Sequence, residues 1–185
     1  MKSTSIIFVL LASLNFQSCQ AGQKTTPKAP FIPKEGIAKA YFASGCFWCV
    51  EAIFESVYGV EEVVSGYCGG NAEDANYDDV SSGATNHAET VEVYYDSTKV
   101  SYNTLLKIFF DSHDPTTLNR QGPDSGRQYR SAIFYRNDSE KESAQQYISS
   151  LYGTGQYDAG TISTTLERFN GFYPAEAYHQ DYEKL

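Results

Sequence analysis

The sequence predicts an α+β fold: a single-domain two-layer sandwich in which a mixed or antiparallel sheet carries packed helices around a ferredoxin-like core, with long irregular loops. Three observations predict it. Segments with the two-residue period of strands alternate with segments of helical period, in the order strand, helix, strand, strand, helix, strand, helix. The 185 residues, 41% hydrophobic and 15% aromatic, suffice to close one core and are short for two full domains. Between the periodic segments lie stretches rich in Gly, Asn, Asp and Ser that are too long for tight turns.

The first element is the apolar and aromatic run 38–43, a short buried strand halted by Ser44-Gly45. From Cys46 the period changes. Phe47, Val50, Phe54 and Val57 recur at steps of three and four, the stripe of a helix packed on a sheet, and Gly59 ends it. Cys46 therefore stands at a strand-to-helix junction. Residues 60–67 read as a second strand, and Val91, Val93 and Tyr95 alternate with Glu92, Tyr94 and Asp96 as in a half-buried third strand. Residues 69–86 between them are expected to be an irregular segment, functional or disordered. Ser101 caps a second helix through about Ser112, with Tyr102, Leu105, Leu106 and Phe109 inside. A second irregular stretch follows to Gln128, then a strand over 131–135. Asp138 or Ser139 starts a third helix, with Glu142 three residues after Ser139 as in a capping box, running to about Leu151. Residues 162–166 are a last strand, and 176–182 a terminal helical turn or two.

The formal charge of −9, without any Lys/Arg-rich run, excludes a nucleic-acid partner, whose backbone needs cationic neutralisation. Residues 1–18 read as a signal peptide: a charged start at Met1-Lys2-Ser3, then an apolar run too short to span a bilayer. Gln17-Ser18-Cys19 resembles the lipobox of bacterial lipoproteins, so Cys19 is the expected lipidation site, with an ordinary secretory signal as the alternative. Either places the mature chain outside the cytoplasm, at the cell envelope. The Lys-, Thr- and Pro-containing segment 19–36 is then a flexible tether, and 37–185 the folded domain.

Cys46, Cys49 and Cys68 remain, an odd number in a compartment where thiols tend to pair. A thiolate is the reactive form of cysteine, and the N–H groups and dipole at a helix start favour it, so Cys46 is expected to ionise there. Cys46-Phe47-Trp48-Cys49 places a second sulfur one turn on, within reach of a disulfide. A closed zinc site lacks its second ligand pair, and no other metal is expected. A thioredoxin-like exchanger, inert core cysteines and a non-catalytic lipoprotein that binds a partner stay open on residue type alone. The one Trp of the chain sits beside Cys46, and an aromatic pair at a nucleophile suits a small apolar group.

The sequence resembles the A-type peptide-methionine sulfoxide reductases. Gly45-Cys46-Phe47-Trp48-Cys49 followed by Val50-Glu51-Ala52 is similar to that family's signature. Val64-Ser65-Gly66-Tyr67, His87-Ala88-Glu89, His113-Asp114-Pro115-Thr116, Asn119-Arg120-Gln121-Gly122, Gln128-Tyr129-Arg130-Ser131 and Tyr178-His179-Gln180-Asp181-Tyr182 match in order. The matches span nearly all of 38–182.

The resemblance implies that Cys46 attacks the sulfoxide sulfur and leaves as a sulfenic acid while methionine departs. It implies that Glu89 protonates the sulfoxide oxygen and that Tyr77 and Tyr129 hydrogen-bond it. Asp124 helps to hold the substrate, and Phe47 and Trp48 wall a slot for the S-methyl group. Without the resemblance, Glu89 is as readily a solvated strand start, and one tyrosine among 15 is ordinarily packing. His87 and His113 are expected to be structural. Where many members resolve the sulfenic acid with C-terminal cysteines, this sequence has none after Cys68. Cys49 is the expected resolving residue by local reach, with Cys68 on a glycine-rich loop as the alternative. Asn86 stands where the family usually has Gly. The expected electron donor is a thioredoxin-like thiol reductant and not a bound cofactor, and the expected state is a monomer acting on the S epimer in envelope proteins.

Overall fold

The computed structural model describes residues 31–184. The segment expected to be a signal peptide, the expected lipidation site Cys19 and the expected tether up to residue 30 lie outside them. Phe31, within the segment expected to be the tether, sets its ring edge-on to Tyr94 at 4.9 Å.

The strands are β1 (Ile37–Ser44), β2 (Val60–Cys68), β3 (Ala88–Asp96), β4 (Arg120–Gln121), β5 (Asp124–Ser125), β6 (Ser131–Tyr135), β7 (Thr165–Arg168) and β8 (Phe172–Pro174). The α-helices are α1 (Phe47–Glu55), α2 (Tyr77–Ser81), α3 (Tyr102–Asp111) and α4 (Asp138–Gly153). Six strands form one sheet in the order β7-β6-β1-β3-β2-β8, and β4 and β5 make a separate short hairpin. β1 and β2 both run antiparallel to β3, so the crossover through α1 leaves room for β3 between them. With β6 antiparallel to β1, the central order β6-β1-β3-β2 is the split βαβ of a ferredoxin-like core. The parallel pair β6 and β7 makes the sheet mixed.

The helices cover one face. Phe47, Val50 and Phe54 of α1, Leu105, Leu106, Phe109 and Phe110 of α3, and Ala144 and Leu151 of α4 close a core with Phe42, Val63, Val91 and Val93 of the sheet. On the opposite face Tyr41, Ala43, Cys68, Ala88, Ala132 and Phe134 pack under Phe169 and Phe172 from the segment around β8.

Several elements depart from expectation for identifiable reasons. β3 is buried on both faces, not half-buried, because it lies mid-sheet and Glu92 turns inward. That carboxylate accepts Lys39 Nζ at 2.8 Å, Tyr41 Oη at 2.8 Å and Tyr94 Oη at 2.7 Å, so its burial is compensated. The segment 69–86 holds a 3₁₀ turn at 72–74 and α2, whose first turn is capped by the Asn76 side chain. The cap of α4 is Asn137, one residue before the expected start: its side chain accepts the Glu140 N–H. Glu140, not Glu142, turns back to accept the Arg136 N–H at 2.8 Å. The last strands are β7 and β8, displaced toward the C-terminus from 162–166.

Two glycines are required by close approach. Gly45 turns the chain from β1 into α1 with φ +96°, and a Cβ there would meet Gln121 Cβ at 2.7 Å. At Gly66 a Cβ would lie 2.4 Å from both the Tyr173 carbonyl oxygen and Phe172 Cζ. Gly66→Ala should therefore push β8 off the edge of β2 and cost about 1–3 kcal/mol. Urea denaturation checks this, and an unchanged midpoint would refute it.

Candidate active site

The end of β1, the first turn of α1, the start of α2, the start of β3 and the β5 to β6 connection converge at one end of the sheet. Cys46 is the N-cap of α1, with φ −60° and ψ 120°. Glu89 is the second residue of β3 and is 3% exposed. Its Oε2 accepts the Phe47 N–H at 3.1 Å, one of the unpaired donors of the α1 N-terminus. Tyr77 opens α2, where its N–H donates to Glu176 Oε1 at 3.0 Å. Tyr129 closes a 3₁₀ turn over 127–129, and Asp124 begins β5.

These residues share one hollow of about 210 Å³, lined by Cys46, Phe47, Trp48, Tyr77, Glu89, Asp124 and Tyr129. The expected nucleophile, acid, two phenols, acidic substrate residue and aromatic walls are thus brought together from positions up to 83 residues apart. Cys49 does not line this hollow. It is exposed and faces a second one of about 220 Å³, on which Cys46 and Asp124 also border, together with Ser44, Val50, Ile53 and Pro123.

Cys68 belongs to neither. It is the last residue of β2, paired with Ala88 and Phe172, fully buried among the residues of the opposite sheet face. The glycine-rich loop expected to carry it begins one residue later, so the expected mobility is not available to it. His87 and His113 take structural places. His87 Nε2 contacts the Asn71 carbonyl at 2.9 Å, and His113 bridges the Phe109 carbonyl and Ser131 Oγ at 2.7 Å each.

The electrostatics differ from expectation in one respect. Burial pushes the Cys46 thiol up to about 12; the Trp48 N–H opposes this, the Glu89 carboxylate adds to it, and the Cys49 N–H opposes it. Neither N–H reaches the geometry of a cap hydrogen bond to the sulfur. The resting form is therefore the thiol, not the thiolate, because burial of the charge outweighs the helix N-terminus here. Burial also pushes Glu89 up to about 7, against the Phe47 N–H and with help from Asp124. Tyr129 is raised to about 12 and Tyr77 is raised, both first by burial and next by Glu89, so both phenols stay donors.

Trp48 has a fixed setting that residue types did not foretell. Its Nε1 donates to His179 Nδ1 at 3.1 Å, and its ring stacks on Tyr182 with centroids 3.8 Å apart and planes 8° from parallel. His179 is 2% exposed, and burial lowers its pKa, so it stays a neutral acceptor. Glu176 joins the same C-terminal segment to the site, accepting Tyr67 Oη at 2.9 Å as well as the Tyr77 N–H. The only signal in the sequence was the match over 178–182, which carried no role.

A half-buried thiol and a carboxyl poised near neutrality, with two phenols lining the same aromatic hollow and a second cysteine one turn away, define a cysteine-dependent oxidoreductase. The family model described as peptide methionine sulfoxide reductase matches residues 38–185. A peptide methionine sulfoxide reductase MsrA of Natronomonas pharaonis is 54% identical over 145 residues, 78% of this chain and 81% of the relative. Mxr1 of Saccharomyces cerevisiae in its reduced form superposes with a TM-score of 0.77 at 29% identity, covering 86% of this chain and 91% of the yeast chain. Mxr1 in complex with Trx2 superposes at 0.57 with 23% identity, over 84% and 91% of the two chains. The chain belongs to the peptide methionine sulfoxide reductase family.

Proposed function

We propose that this member reduces methionine S-sulfoxide, free or within proteins, with Cys46 as nucleophile and Glu89 as acid. The observation that carries the reading is the shared hollow, where the thiol, the carboxyl and both phenols border one space. The sulfoxide oxygen would lie toward Tyr77, Tyr129 and Glu89, and the S-methyl group against Phe47 and Trp48, with Asp124 at the rim. The Cys46 proton passes to the Glu89 carboxylate, the thiolate sulfur attacks the sulfoxide sulfur, the sulfur–oxygen bond breaks, and the oxygen takes that proton from Glu89 as it passes to Cys46. The products are methionine, a Cys46 sulfenic acid and the Glu89 carboxylate. Cys49 then displaces the hydroxyl as water, closing a Cys46–Cys49 disulfide, and a thioredoxin-like dithiol returns both to thiols. No bound cofactor enters this cycle, and the reading takes the chain as a monomer.

The lipobox-like Gln17-Ser18-Cys19 supports an envelope lipoprotein anchored at Cys19, with a soluble secreted or periplasmic form as the alternative. Repair of oxidised envelope proteins follows from that location.

The test is a single turnover without reductant. Reduced protein mixed with a peptide carrying methionine S-sulfoxide should yield one equivalent of methionine and a mass-mapped 46–49 disulfide, and the R epimer should yield neither. Methionine formed while Cys46 stays reduced would reject the proposal.

A further inference from the structure

Glu51 does not border the hollow, and the reaction proposed above gives it nothing to do. It is nevertheless a carboxylate 2% exposed in the middle of α1, one turn beyond Trp48. Burial raises its pKa, opposed by the Ser65 hydroxyl and the Asp181 N–H. Those two donors show what it holds. Its Oε2 accepts Ser65 Oγ at 2.6 Å, and its Oε1 accepts the backbone N–H of Asp181 at 2.9 Å.

Asp181 has φ +55°, a left-handed conformation that L side chains rarely adopt and that persists only where surroundings impose it. That turn lies between His179 and Tyr182, the residues that grip Trp48 at its nitrogen and across its face. Gln180, between them, is fastened to the same strand as Ser65. Its Oε1 accepts the Ser65 N–H at 3.0 Å, and its Nε2 donates to the Ser65 carbonyl at 2.9 Å and the Ala175 carbonyl at 3.0 Å. Glu51, Ser65, Gln180 and Asp181 thus form a closed hydrogen-bonded circuit from α1 through β2 to the C-terminal segment and back.

Oxygen atoms of Glu51, Glu55 and Asp181 lie within 4.8 Å of one another. The protein itself offsets part of this charge, since Lys184 Nζ reaches Glu55 Oε2 at 2.7 Å and Asp181 Oδ1 at 2.9 Å. Its geometry is that of a fastening.

We propose that Glu51 is a positioning residue for the sulfoxide pocket. By holding the left-handed turn at Asp181 against α1, it keeps His179 and Tyr182 on Trp48 and so sets the wall against which the substrate packs. The inference rests on reading the hollow as the sulfoxide site.

The experiment compares Glu51→Ala and Glu51→Gln, each alone and combined with Trp48→Phe. It measures KM and kcat for a methionine sulfoxide peptide, the emission of Trp48, which is the chain's one Trp, and the rate of Cys46 oxidation by hydrogen peroxide. Glu51→Ala should raise KM about tenfold with kcat within about threefold, the pattern of lost ground-state binding. Its emission should shift to the red while peroxide oxidation stays near the wild-type rate. Glu51→Gln keeps an acceptor for the Asp181 N–H and should restore both readouts. With Trp48→Phe present, Glu51→Ala should change KM by less than about twofold, because the two changes act through one contact. If Glu51→Ala does not fold by circular dichroism, Ser65→Ala takes its place with the same expected directions. Wild-type KM and emission in the alanine variant, or an undiminished KM effect on the Trp48→Phe background, would overturn the inference. Wild-type protein unable to reduce the sulfoxide would instead sink the reading of the hollow.

Discussion

Glu89→Gln should lower kcat/KM for a methionine sulfoxide peptide by about 10²–10⁴-fold at pH 7, the range of a lost general acid. It should also change the shape of the pH profile. Thiolate attack with proton delivery to oxygen needs a single proton on the Cys46 and Glu89 pair, absent from the sulfur and present on the carboxyl. Below the Glu89 value of about 7 both groups are protonated and the pair carries one proton too many. Wild-type kcat/KM, which reports the free enzyme, should therefore rise about tenfold per pH unit on the acid side. From about 7 to the Cys46 value of about 12 the pair holds one proton, so the profile should be level. The reactive arrangement is then a constant minor tautomer of the abundant thiol and carboxylate form. The glutamine variant has no second site for that proton, so only the bare thiolate can react. Its kcat/KM should climb with pH beyond 7 toward the Cys46 value, itself lower once the Glu89 charge is gone, since that charge helps to raise it. A loss smaller than about threefold would deny Glu89 the role of general acid. A glutamine profile level above pH 7 would do the same.

The folding pattern was legible where local period and burial agree. Phe47, Val50 and Phe54 at helical spacing are all buried under α1, and the Ser101 side chain accepts the Thr104 N–H as a cap should. Legibility fails where a distant partner decides. Glu92 reads as a solvent-facing residue because Lys39, Tyr41 and Tyr94 become its partners only when β1 and β3 pair. Asn137 outcompetes Ser139 as the cap of α4 because the chain direction out of β6 puts its side-chain Oδ1 in reach of the Glu140 N–H. In the site, residue types and family motifs carried all seven residues of the hollow. They did not carry protonation: the helix start argues for a thiolate at Cys46, and only the burial supplied by the whole fold reverses it. Nor did they carry the hold on Trp48, because its partner His179 is 131 residues away in sequence.

Cys49→Ser should leave the first half of the reaction intact and stop the cycle. One equivalent of methionine should form in a single turnover, while steady-state reduction with a thioredoxin-like donor falls by at least about 100-fold, since an outside thiol lacks the effective concentration of one held in place. Cys46 should then persist as a sulfenic acid that dimedone traps. Cys68→Ala should keep steady-state turnover. The contrast follows from where the two sulfurs stand. Cys49 is exposed and borders the same second hollow as Cys46, one helical turn along α1, so closure needs a change in the first turn only. Cys68 faces the opposite side of the sheet, and burial holds its thiol protonated well above the usual range. To reach Cys46 it would have to leave its pairing with both Ala88 of β3 and Phe172 of β8. Retained steady-state turnover in Cys49→Ser, together with its loss in Cys68→Ala, would mean that the sheet edge opens during catalysis and that Cys49 is a bystander.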